Sequence, residues 1–186
     1  MRFSNSTSLC SERMYRSFLQ HTEPYDHSAL TVRVRYSRSS EFSGACYYRD
    51  ARIFINLGRT NRYPYPLATQ VARSQSNRTH WWRELYRLTL ADAYQLALFV
   101  YLHELYHYLV SRAGRGVRRK EAMCDRFAAR VLVDAFGCPL RDSNGGAVPR
   151  DSWDFQDLHA FVAGAPRTAP RERAARIPVT IRGVRL

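Results

Sequence analysis

The spacing of apolar and polar positions changes period several times along the chain. Up to about residue 28 it is polar, with one amphipathic piece, Glu12 to Gln20, that predicts a short first helix. From Ala29 the period becomes two. Leu30, Val32, Val34 and Tyr36 alternate with Thr31, Arg33 and Arg35, as in a half-buried strand. The runs Gly44 to Tyr48 and Arg52 to Leu57 flank Arg49-Asp50 and predict a hairpin whose second strand ends at Gly58. These three strands predict a small antiparallel sheet.

Residues 59–78, with Pro64 and Pro66, read as a loop, and Thr79 to Leu88 as a short helix. Thr89-Leu-Ala-Asp92 matches a capping box with Thr89 as N-cap. It would open the strongest helical pattern in the chain, Leu90 to Ala113, which Gly114 and Gly116 stop. A second helix is predicted from about Lys120 to Phe136, closed by Gly137 and Pro139. Asp142 to Gly146 reads as a loop, Asp151 to Val162 as a short helix, and the arginine- and proline-rich end from Pro166 as poorly ordered. The expected class is α+β in three parts: an N-terminal extension over 1–28, a domain carrying the chemistry over 29–140, and a basic C-terminal extension over 141–186.

Composition adds limits. A chain of 186 residues buries about two-thirds of its unfolded surface, so folding requires neither disulfides nor a structural metal. The most apolar stretch, Leu96 to Leu109, is interrupted by His103, Glu104 and His107, and no membrane span is expected. The first residues lack the apolar segment of a signal peptide. Cys10, Cys46, Cys124 and Cys138 are scattered without a C-x-x-C pair, which predicts free thiols in a reducing, cytoplasmic setting. Lys+Arg 29 against Asp+Glu 16 gives +13, and Lys120 is the only lysine. Such a charge favours polyanions, weak nucleic-acid association included. The arginines are spread along the chain, so a basic surface with no specific partner stays open beside that reading.

The chemistry concentrates in His103-Glu104-Leu105-Tyr106-His107, an H-E-x-x-H inside the strongest helix. Residues four apart share a helix face, so both imidazoles can meet one ion. Glu104 is rotated about a quarter-turn away, within reach of a metal-bound water without being a ligand. Neutral imidazoles suit Zn²⁺, and a catalytic zinc needs a third protein ligand and an open position. Glu121 lies 14 residues after His107 at the start of the next helix, enough chain for a helical hairpin to return it to the histidines. Asp125, one turn later on the same face, can accept the ring N–H of a ligating histidine. The expected cofactor is one Zn²⁺ per chain, with a protein or peptide as substrate. His80, Trp81 and Trp82 read first as an aromatic packing cluster, with a place beside the cleft as the alternative. Tyr106 and Tyr108 read as helix packing, and no residue is singled out as the oxyanion donor.

The run His103-Glu-Leu-Tyr-His107 followed by Glu121-Ala-Met-Cys-Asp125-Arg-Phe-Ala-Ala resembles the gluzincin pattern HExxH…ExxxD. In particular it is similar to the small ImmA/IrrE-like metallopeptidases, and Gly44 to Tyr47 with Arg52 to Asn56 resembles the hairpin before their active-site helix. The resemblance covers roughly residues 30–137. It departs at Tyr106, where many relatives have Gly, at Cys124, where Ala is usual, and in the short gap from His107 to Glu121. SprT-like proteins share H-E-x-x-H, but here no histidine follows His107 until His159. The resemblance implies a zincin-like fold and a zinc endopeptidase with Arg52–Leu57 as an edge strand beside the cleft. An interior position for that strand is the alternative the residues leave open. The rival functions are a basic nucleic-acid-associated protein and an interaction module built on a zincin-like scaffold.

Overall fold

A computed structural model describes residues 1–118 and 120–163. In chain order the elements are β1 (Arg2–Asn5), α1 (Ser11–Gln20), β2 (Thr31–Tyr36), β3 (Phe42–Tyr47), β4 (Arg52–Leu57), β5 (Tyr65–Thr69), β6 (Ser74–Ser76) and β7 (Trp81–Arg83). Then come β8 (Tyr86–Leu90), α2 (Ala93–Arg112), α3 (Glu121–Phe136), β9 (Leu140–Arg141), α4 (Arg150–Trp153) and α5 (Leu158–Ala163). The class is α+β. The end from Pro166, read from sequence as poorly ordered, lies outside the described residues.

The main sheet has the order β1-β2-β4-β3. It is mixed, not antiparallel as the sequence predicts. β1 runs parallel to β2, and β2 parallel to β4; only the β3–β4 hairpin is antiparallel. Parallel pairing needs a crossover, and α1 supplies the one between β1 and β2. The first 28 residues therefore contribute a strand to the sheet and, through Met14 and Phe18, two side chains to the core. β4 is an interior strand with neighbours on both sides, so the edge beside the site is β3 instead. The periodicity of β4 allows either position; parallel pairing with β2 on one side and the β3 hairpin on the other decide it, and no local window shows the first of these.

Two other expectations fail in the middle of the chain. The predicted helix Thr79 to Leu88 is replaced by β7 and β8, and the predicted loop 59–78 contains β5 and β6. β5 pairs antiparallel with β8, placing Leu67 opposite Leu88 and Tyr65 opposite Leu90, while β6 and β7 form a separate two-stranded ribbon. Aromatic and apolar side chains gain from cross-strand pairing that no local window reveals. Because β8 uses Thr89 and Leu90, α2 opens three residues later than the sequence predicts. Its N-cap is Asp92, whose side chain accepts from Gln95 N at 2.9 Å.

Helix α2 is buried around most of its circumference, which explains its nearly unbroken apolar sequence. One side meets Val32, Ile53 and Ile55 of the sheet, another α3, and a third α1, where Phe18 stacks on Tyr101 at 4.3 Å. Gly114, with φ +69, and Gly137, with φ +64, supply the left-handed residues that end α2 and α3. The predicted Asp151 to Val162 helix is two short helices. From α5, the Leu158 carbonyl accepts from Tyr106 Oη at 3.0 Å, so Tyr106 packs inside as expected.

Candidate metal centre

Three elements bring the site together. α2 presents His103, Glu104 and His107; α3 begins at Glu121 and carries Cys124 and Asp125 three and four residues on; β3 lies alongside α2. The imidazoles of His103 and His107 are one helical turn apart, with ring centroids at 5.0 Å. The Glu121 carboxylate spans them: Oε2 lies 3.2 Å from His103 Nε2, and Oε1 lies 3.2 Å from His107 Nε2. Its place at the first residue of α3 also puts its charge at the positive end of a helix dipole.

Asp125 supports this set from behind. Its Oδ1 is 2.8 Å from His103 Nδ1, and its Oδ2 accepts from Gln70 N at 2.6 Å. One carboxylate thus ties α3 both to the histidine and to the residue that follows β5. A carboxylate on Nδ1 holds that nitrogen protonated, so Nε2, which faces Glu121, is the atom left to bind a metal once its own proton is given up. His107 Nδ1 is buried and has no partner among the described residues.

Charges divide unevenly between the two rings. Burial opposes a charge on His103, but the hydrogen bonds with Asp125 and Glu121 overcome it and raise its pKa to about 10. Burial and then the neighbouring His103 charge push His107 below its usual value. Glu121 is held below the usual carboxylate range, first by its hydrogen bond with His103. Glu104 is 9% exposed, and burial pushes its pKa up to about 7, against the pull of His103. A carboxyl poised near neutrality in a partly closed site is suited to taking and returning a proton.

The donor set fits a tetrahedral metal. With zinc–ligand bonds of about 2.0–2.2 Å, neighbouring ligand atoms stand roughly 3.3–3.5 Å apart, close to the two 3.2 Å separations seen here. Cys124 is a further donor that the sequence reading passed over. His103, His107 and Cys124 form a group able to hold a metal ion, with ligand atoms within 4.8 Å of one another. Glu121 is not a member of that group, but it stands beside the same two rings as the other candidate for third ligand. Its oxygens each lie 3.2 Å from one Nε2 and its carboxyl is held below the usual range, whereas burial and the carboxylates of Glu121, Asp125 and Glu104 all push the Cys124 thiol upward, away from the thiolate a metal requires.

The strand beside the site adds residues that periodicity alone could not reveal. Gly44 on β3 faces Glu104 so closely that a Cβ there would overlap the carboxylate and stand 2.9 Å from Cδ. Cys46 and Tyr48 follow it along the same rim. Burial raises the Cys46 thiol to about 12, with Glu104 adding to the effect. The Tyr48 phenol is also raised to about 12 by burial, with smaller contributions from Cys46, Glu104, Cys124 and Glu121. On the other side, a pocket of about 430 Å³ is lined by Gln70, Trp81, Arg83, Glu121 and Ala122. Trp81 is 72% exposed and Trp82 46%, so the predicted aromatic packing cluster is not formed; Trp81 borders the cleft instead.

Comparison with known proteins adds no relative. No family model matches the chain, and neither curated proteins nor solved structures include a significant match. All four cysteines are free, and among the described residues no helix is long and apolar enough to cross a membrane.

Proposed function

We propose that this protein is a zinc-dependent endopeptidase, with His103, His107 and Glu121 holding the metal and Glu104 acting as general base. The observation that carries this reading is the Glu121 carboxylate spanning both Nε2 atoms while Asp125 occupies His103 Nδ1. Zinc bound there would supply a Lewis acid for the scissile carbonyl and lower the pKa of a coordinated water toward 7. Glu104, held near pH 7 and beside the first histidine, takes a proton from the attacking water and hands it to the departing amine. Gly44 leaves room for that carboxylate against the strand. Tyr48, whose phenol feels the charges of Glu104 and Glu121, is our candidate for donating to the oxyanion. As the edge strand beside α2, β3 can pair with an extended substrate backbone.

Metal content tests the ligand set. Elemental analysis should find one zinc per chain, lost in His103→Ala, His107→Ala and Glu121→Ala but retained in Cys124→Ala. Full zinc in Glu121→Ala together with loss in Cys124→Ala would make the sulfur the third ligand and overturn this assignment.

A further inference from the structure

The pairing register of the main sheet sorts its side chains onto two faces. Val32 opposite Ile53 and Val34 opposite Ile55 are buried against α2. The alternate rows, Arg33 opposite Phe54 and Arg35 opposite Asn56, therefore point away from α2 and away from the metal centre. β1 extends the outer rows with exposed Arg2 and Ser4, and β3 extends them with Tyr47, which stands opposite Arg52. No acidic residue occurs in any of the four strands.

This outer face is built, not merely basic. Arg33 and Arg35 are exposed, and their guanidinium groups stand over the Phe54 ring at 6.0 and 5.5 Å. Among the described residues neither is in an ion pair, and the same holds for Arg38 and Arg59. At one end of the rows, Arg35, Arg38 and Arg59 line a cavity of about 770 Å³ whose other walls are serines, Tyr36 and Asn56. Arg59 is anchored there over the Tyr36 ring at 4.6 Å. Towards the other end stands Tyr47, 53% exposed, its ring 5.4 Å from Phe54. Among the described residues, Arg52 is the one arginine of these strands that is neutralised, by Asp50 in the adjoining turn.

We infer that this face binds single-stranded nucleic acid, with Arg33, Arg35, Arg38 and Arg59 meeting the phosphates and Tyr47 offering a ring to a base. Arginines two residues apart on a strand are about 6.6 Å apart, so one extended backbone can engage them in succession. Phosphate recognition favours planar guanidinium groups and hydroxyl donors, and the cavity supplies both without a competing carboxylate. An exposed aromatic beside a basic track favours unpaired bases, whose faces are free to stack, over a duplex whose bases are already stacked. The surface is separate from the metal centre, so this inference does not depend on the peptidase reading.

Fluorescence anisotropy with the full chain and a labelled oligothymidylate would test it, with duplex DNA and anionic phosphatidylserine vesicles as parallel probes. Arg33→Gln/Arg35→Gln should weaken oligothymidylate binding at least about tenfold and lower its salt slope by about 1.4, the value for two phosphate contacts on a single strand. Tyr47→Ala should weaken oligothymidylate binding about fivefold or more while leaving duplex binding within about twofold. Arg78→Gln/Arg87→Gln, which removes the same charge from exposed positions elsewhere, should cost less than about twofold. Unfolding midpoints equal to wild type would show that the variants are folded. Equal losses in the two arginine pairs would overturn the inference, as would tighter binding to duplex or vesicles than to the single strand. So would binding abolished by truncation at Pro166 yet unchanged in the sheet variants.

Discussion

Asp125 does two jobs with two oxygens, which makes it the sharpest single-residue test of the metal centre. Both His103 Nδ1–H and Gln70 N–H donate to it. Asparagine keeps the size but has only one acceptor oxygen. If that oxygen stays with Gln70, its amide must donate to His103 Nδ1, which moves the ring proton to Nε2, the atom that would bind metal. Asp125→Asn is therefore expected to weaken zinc binding by about ten- to a hundredfold in competition with a chelator. Unchanged affinity would show that Asp125 serves only to join α3 to the segment after β5.

Between elements, β3 fits closely against α2 at Gly44 and Glu104. Gly44→Ala places a methyl group where the carboxylate lies. Since β3 is an edge and Glu104 a long side chain, the side chain gives way before the strand does. Peptide hydrolysis is expected to fall at least about tenfold with zinc content unchanged, because the base moves while the ligands stay. Wild-type turnover would mean that Glu104 works from another position. The helices were legible in the sequence because each carries its own signals: the H-E-x-x-H and E-x-x-x-D spacings, and glycines at both C-terminal ends. The contact between Gly44 and Glu104 was not, since it joins residues 60 apart whose meeting depends on the strand order. The same dependence hid the strands β5 to β8. Trp81, Trp82 and Tyr86 fit a short helical pattern as well as a strand, and only pairing with distant residues decides between them. Cys124 was visible as a letter but not as a neighbour of the histidines until α3 packed on α2.

At the scale of the molecule, metal binding and protonation compete for one site. Without metal, the raised pKa of His103 means that the folded state holds its proton more firmly than the unfolded chain. That contribution to stability is complete below about pH 6.5 and is lost as pH rises toward about 10. Zinc must displace the same proton, so its affinity should increase through this range. The rise in unfolding temperature on adding zinc should accordingly be larger at pH 9 than at pH 6; an increment independent of pH would contradict the proton competition. The +13 charge belongs to this scale as well, and the acid-free outer face of the sheet gives part of it a location. The proposed hydrolysis turns on Glu104 acting as the base beside the metal. Its most direct test is cleavage of an unbiased peptide library by wild type and Glu104→Gln, both loaded with one zinc per chain. Glutamine keeps the size and the helix but cannot accept the proton, so Glu104→Gln is expected to be folded and zinc-replete, with cleavage reduced at least about a hundredfold. Equal cleavage by the two proteins would contradict it.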